Sequence, residues 1–161
     1  MPIAVYAGSF DPVTRGHEDL IWRSLTFVDK LIVAVAINSA KQPLFSIGER
    51  VDLIRRSING NAHVEVGTFD GLTVDYAQSV GAIAIVRGLR VTSDFENEFQ
   101  MTLMNRRLNP DVHTVFLMTS FSNVFISSSI IKEVFRLGGT IDDAVPPACA
   151  EALRRKFGRD R

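Results

Sequence analysis

Apolar residues along this chain fall in two alternating rhythms, short unbroken blocks and longer stretches at helical spacing. Blocks at 3–7, 31–37 and 83–86 are rich in Val, Ile and Ala, and an apolar run this short reads as a strand buried on both faces. Two further strands are predicted, an alternating one at 63–66 and an apolar one at 112–118. Between them, Leu20, Ile21, Leu25 and Val28 recur at helical spacing from Glu18 onward, with Glu18 and Asp19 where the helix dipole favours acids. Ser46 and Glu49 have capping-box spacing ahead of Val51, Leu53, Ile54 and Ile58, and Asn59-Gly60-Asn61 ends that helix. A short helix is predicted at 72–80, closed by Gly81. A second capping box, Ser93 with Glu96, opens a helix through Phe99, Leu103 and Leu108 that stops at Asn109-Pro110. Helices at 127–137, stopped by Gly138-Gly139, and at 148–157, introduced by Pro146-Pro147, complete the series.

Five strands alternating with helices predict a doubly wound, five-stranded parallel α/β sheet with right-handed crossovers, in a single domain over 1–161. Ligands of such sheets bind beyond the carboxyl ends of the strands. The notable residues fall there: Ser9 and His17 after the first strand, Lys41 after the second, Gly67 to Leu72 after the third, Arg87 and Arg90 after the fourth, and 119–129 after the fifth.

Composition narrows the class. Lys+Arg and Asp+Glu number 18 each, for zero net charge, so a basic field for nucleic acid is not expected. The single cysteine, Cys149, leaves no intramolecular disulfide. The longest aliphatic run, 31–37, is too short to span a bilayer, and the N-terminus lacks the pattern of a secretory signal. A cytoplasmic protein without membrane association is expected.

The strand-to-helix loop Gly8-Ser9-Phe10-Asp11-Pro12-Val13-Thr14-Arg15-Gly16-His17 concentrates the chemistry. Gly8 permits a bend or a close approach, Ser9 offers a hydroxyl, Pro12 stiffens the turn, and His17 sits at a helix N-terminus, whose free amides attract anions. That field favours a neutral imidazole able to donate to phosphate. Taken singly, Gly8, Pro12 and Gly16 could merely shape a connection that His17 caps. Neither the Gly-x-x-x-x-Gly-Lys-Ser/Thr nor the Gly-x-Gly-x-x-Gly phosphate loop is present. Arg87 leaves a buried strand at the ligand edge, and its guanidinium fork suits phosphate oxygens.

Gly-Ser-Phe-Asp-Pro-x-x-x-Gly-His resembles the signature of the nucleotidylyltransferase superfamily. Arg87-Gly88-Leu89-Arg90, Asp94-Phe95-Glu96 and Phe125-Ile126-Ser127-Ser128-Ser129 follow at the spacing of its bacterial members that act on 4'-phosphopantetheine. The resemblance covers essentially the whole chain. It implies a Rossmann-like nucleotidylyltransferase fold and transfer of the adenylyl group of ATP to 4'-phosphopantetheine, giving dephospho-coenzyme A and pyrophosphate in coenzyme A synthesis. By the same resemblance His17, Lys41, Arg87 and Arg90 are catalytic, His17 as transition-state stabiliser. Gly8, Ser9, Phe10, His17, Arg87, Gly88, Arg90, Glu98, Phe125, Ile126, Ser127, Ser128 and Ser129 would bind ATP. Ser9, Lys41, Leu72, Thr73, Val74, Arg87, Met101, Met104 and Asn105 would bind phosphopantetheine. Mg2+ would arrive with ATP, without dedicated protein ligands, and a homohexamer with coenzyme A as a feedback ligand is implied. Two other readings stay open, transfer to a different phosphorylated acceptor such as nicotinate mononucleotide or glycerol phosphate, and a nucleotide-binding module without turnover.

Overall fold

The computed structural model describes residues 1–37 and 42–159, with Thr92 and Ser93 described by their backbone alone. All five strands are parallel, in the order β3-β2-β1-β4-β5. They are β1 (Ile3–Gly8), β2 (Lys30–Ala36), β3 (Val64–Phe69), β4 (Ala84–Leu89) and β5 (His113–Met118). The helices are α1 (Arg15–Ser24), α2 (Ile47–Ser57), α3 (Thr73–Ser79), α4 (Thr92–Leu108), α5 (Ser128–Arg136) and α6 (Pro147–Lys156). A short 3-10 turn, Phe121–Asn123, follows β5. The doubly wound order expected from the alternation is the order found.

The reason lies in the central strands. Val5, Leu31, Val33, Ala34 and Val35 are fully buried, and side chains on opposite faces of β1 and β2 enter two separate core layers. Only a sheet covered on both faces accommodates such runs. Ser46 and Glu49 form the predicted capping box on α2, and Ser127 caps α5.

Four boundaries differ in ways that bear on the site. Helix α1 begins at Arg15, three residues before Glu18, so His17 lies inside its first turn. Strand β3 continues from Val66 to Phe69, and β4 continues through Arg87 to Leu89, so Arg87 is a strand residue. The predicted Ser93 capping box is not formed. Helix α4 starts at Thr92 after Val91, which puts Ser93 within the helix, and its N-cap residue, Val91, makes no side-chain capping bond.

Candidate active site

Strands β1 and β4 are adjacent, yet the crossovers leave them in opposite directions along the sheet, which makes the space above them the topological switch point. They pair only from Ala4 with Ala84 to Tyr6 with Val86. Beyond this the strands part, and Nη1 of Arg87 donates to the Ala7 carbonyl at 3.1 Å across the gap. A cavity of about 310 Å3 opens there. Gly8, Ser9, Phe10 and His17 line it from the β1 side, Arg87, Gly88, Arg90 and Glu98 from β4 and α4, and Ile126, Ser127, Ser128 and Ser129 from beyond β5. Twelve residues expected to serve one site thus meet in one cavity.

His17 occupies the third position of α1, and a reciprocal pair of bonds fixes it. The Thr14 hydroxyl accepts the His17 N–H at 3.4 Å, while Nδ1 of His17 accepts the Thr14 N–H at 3.0 Å. This is a capping box in which histidine replaces the usual Glu or Gln. An Nδ1 that accepts must carry its lone pair, so the ring proton of the neutral imidazole belongs on Nε2. Burial, reinforced by the positive charge of Arg90, lowers the His17 pKa to about 4. At neutral pH the cavity therefore receives an uncharged imidazole with one N–H to give. Phe10 braces it from below, its ring edge-on to His17 at 5.0 Å and to Tyr6 at 5.2 Å. Gly8 leaves room for that ring, since a Cβ there would stand 3.2 Å from it. Phe10 is 2% exposed, so what it can offer a ligand is backbone.

Both arginines carry carboxylate partners. Glu98 takes Nε of Arg87 at 2.7 Å and Nη2 at 2.5 Å, a two-point grip that pushes the Arg87 pKa further up. With one more bond to Ala7, two of the five guanidinium N–H groups stay available. Arg90 donates through Nε to Asp94 at 3.1 Å, and its backbone N–H reaches the same carboxylate at 3.3 Å. Asp94, an acid in the first turn of α4, therefore turns back to orient Arg90. An anion entering the cavity meets two oriented, partly neutralised forks.

The serine turn is similarly divided. The Ser127 hydroxyl accepts the Ile130 N–H at 3.2 Å, and the Ser128 hydroxyl donates to the Pro12 carbonyl at 2.8 Å. The Ser128 and Ser129 amides at the start of α5 and the Ser129 hydroxyl remain as donors for an anion in the cavity those residues line.

Among the described residues, the others expected at the site do not line the cavity. Lys41 lies outside the described residues. Phe125, 81% exposed, flanks the cavity without lining it. Leu72, Thr73 and Val74 stand at the start of α3, after β3, and the Val74 side chain is wholly within the core. Met101, Met104 and Asn105 lie farther along α4, with Asn105 buried.

Residue-by-residue reading missed the supports. Asp11, 5% exposed, accepts the N–H groups of Leu44 and Phe45 at 2.9 and 2.8 Å and pairs with Lys132 at 2.6 Å. Arg50, 1% exposed, donates to the Ser9 carbonyl at 2.9 Å. The Thr14-x-x-His17 spacing was the one local signal among these.

Residues 5–134 match the cytidylyltransferase-like family. The phosphopantetheine adenylyltransferases of Geobacter metallireducens and Geobacter sulfurreducens are each 56% identical, over 99% of this chain and 98% of theirs. That of Caldanaerobacter subterraneus is 54% identical, over 98% of both chains. Among solved structures, a Vibrio parahaemolyticus protein provisionally named a nicotinate-nucleotide adenylyltransferase superposes with a TM-score of 0.70 over 95% of this chain and 99% of its own. At 19% identity it shares the fold. The chain, with its Gly-His loop and switch-point cavity, belongs to the cytidylyltransferase-like family. Within that family it belongs with the phosphopantetheine adenylyltransferases.

Proposed function

We propose that the protein transfers the adenylyl group of ATP to 4'-phosphopantetheine, releasing pyrophosphate and forming dephospho-coenzyme A. The observation that carries this is the convergence of His17, Arg87, Arg90 and the α5 amides on one cavity, in a chain 56% identical to named phosphopantetheine adenylyltransferases over nearly its whole length. The acceptor is already an anionic oxygen, so the reaction needs no protein nucleophile. It needs two polyanions held in line and the charge developing on the α-phosphorus met by fixed donors.

In this reading Ser9, Lys41 and Arg87 hold the acceptor phosphate, while Arg90 and the Ser127 to Ser129 amides hold the triphosphate. His17 donates from Nε2 to the α-phosphoryl oxygen. Its neutrality suits the task, because the hydrogen bond strengthens as charge develops without requiring a buried cation. Gly8, Phe10 and Gly88 supply backbone at close range. Glu98 keeps the Arg87 fork aimed, and Phe125 and Ile126 border the nucleotide. Leu72, Thr73 and Val74, with Met101, Met104 and Asn105, line the path assigned to the pantetheine arm. Val74 would contribute backbone only. Mg2+ would enter as the counter-ion of ATP. Asp94 and Glu98 are each engaged by an arginine, so the ion would sit chiefly among phosphate oxygens and water.

We further place the protein in the cytoplasm as a homohexamer, with coenzyme A, which shares the product's pantetheine arm, as a competing ligand. No helix among the described residues is long and apolar enough to cross a membrane. The exposed apolar side chains of α4 support an assembly. The deciding experiment follows pyrophosphate release from ATP with 4'-phosphopantetheine, nicotinate mononucleotide and glycerol phosphate in parallel. Release with the first alone is expected. ATP binding without release on any acceptor would instead favour a sensing module.

A further inference from the structure

We infer that Asp11 and Lys132 form a positioning pair that locks the α5 phosphate turn to the β1–α1 loop, with the segment entering α2 as a third anchor, holding two walls of the cavity in mutual register. The inference rests on the functional reading above, because what the pair positions is the set of groups assigned to the two phosphates.

Asp11 is buried, and each of its oxygens is committed. Oδ1 accepts the Phe45 N–H at 2.8 Å, while Oδ2 accepts the Leu44 N–H at 2.9 Å and the Lys132 ammonium at 2.6 Å. One carboxylate thus joins chain segments 33 and 121 residues away. Two of these segments carry part of the site, the β1–α1 loop and α5. Asp11 follows Ser9 and Phe10 directly. Leu44 and Phe45 lead into α2 and anchor the carboxylate from outside the cavity. Lys132 lies one helical turn past Ser128, whose hydroxyl makes a second tie from α5 to the same loop at the Pro12 carbonyl. The two ties keep α5 from sliding or rotating against the loop, so the first-turn amides of α5 keep a set distance from His17 and Ser9. Neither Asp11 nor Lys132 lines the cavity, so any effect on chemistry must pass through the groups they hold. Two polyanions must be aligned in line here, and a misplacement of about 1 Å remote from the chemistry can cost on the order of 100-fold in rate.

The experiment compares Lys132→Met, Lys132→Arg and Asp11→Asn with the parent enzyme, measuring kcat, KM for ATP and for 4'-phosphopantetheine, and thermal unfolding. Lys132→Met is expected to lower kcat about 10- to 100-fold with smaller changes in either KM, and Lys132→Arg to restore most of the loss. Combining Asp11→Asn with Lys132→Met is expected to cost no more than the worse single change, because both break one link. If Lys132→Met does not fold, Lys132→Gln, which keeps a donor without the charge, carries the same comparison. A variant that melts earlier yet turns over at the parental kcat would overturn the inference by showing a purely structural pair. A parent enzyme inert towards 4'-phosphopantetheine would instead refute the functional reading, and the inference would fall with it.

Discussion

On the β1 side of the cavity, Asp11, Thr14 and His17 are held by at least two hydrogen bonds each, and Phe10 fills the space beneath. On the β4 side, Arg87 and Arg90 are aimed chiefly by carboxylates of α4, with single bonds to the Ala7 and Ile126 carbonyls, and on that helix Phe95, Phe99, Leu103 and Leu108 are each about half exposed. The first wall is complete within one chain. The second is organised where it faces the ligand and uncovered behind. The contrast separates fixing a neutral donor, which takes local packing, from aiming cations, which takes counter-charges and leaves their helix in need of support.

The largest expected effect breaks the first wall. His17→Ala should cost about 2.7–4 kcal/mol in the barrier, a 10²–10³-fold loss in kcat, as removal of a donor aimed at transition-state charge does. Alanine also removes the acceptor of the Thr14 N–H, so His17→Gln sharpens the test. Glutamine at this position can still close the capping box, and thermal stability close to the parent's with turnover still depressed would assign the loss to the donor.

Acid should act on the same wall. The folded pKa of His17, about 4, lies below the unfolded value of 6.5, so in that window the unfolded chain binds the proton and the folded one does not. Stability from the neutral ring is whole above about pH 6.5 and drains away as pH falls towards 4, with a loss on the order of 3 kcal/mol. A proton on Nδ1 would also displace the Thr14 N–H. Denaturant titrations from pH 7 to 4 should show the decline, and His17→Gln should flatten it. The acid limb of kcat/KM assigned to this ring should lie near pH 4, well below an ordinary histidine.

The second wall should give more gradually. Arg90→Ala removes a charge-assisted donor and releases Asp94 into the cavity, and about 1.5–3 kcal/mol should be lost in kcat/KM for ATP. Glu98→Gln should be milder, because Arg87 keeps its bond to Ala7 and loses only the counter-charge that aims it. Steady-state kinetics with ATP varied would rank the two.

The difference between the walls also governs what the sequence discloses. The five strands, their alternation with helices and the placement of Ser9, His17, Arg90 and the serine turn beyond the strand ends follow from periodicity, which is local, and from the topology rule that places ligands at strand ends. The Asp11–Lys132 pair and the Arg50 bond to Ser9 join residues 121 and 41 positions apart, and no period or cap signal encodes such partners. The Ser93 capping box failed for a related reason. The spacing was right, but α4 began at Thr92, so Ser93 lies inside the helix where it cannot serve as N-cap. At α1 the converse happened, with histidine doing the work reserved for Glu or Gln in the usual pattern.

The smallest effect on chemistry should come from the uncovered back of α4, and it discriminates most sharply between an isolated chain and an assembly. Leu103 is 53% exposed and does not line the cavity. In a free monomer, Leu103→Glu replaces one exposed side chain by another and should change stability by no more than about 0.5 kcal/mol. If α4 meets another copy of the chain, the same substitution buries a carboxylate without a partner, which is costly enough to dissociate the interface. Light scattering should then show the mass falling from that of the assembly towards that of one chain, with the His17 wall still formed. A parent already at monomer mass would leave α4 an exposed apolar surface with no partner copy and remove the basis for the hexamer.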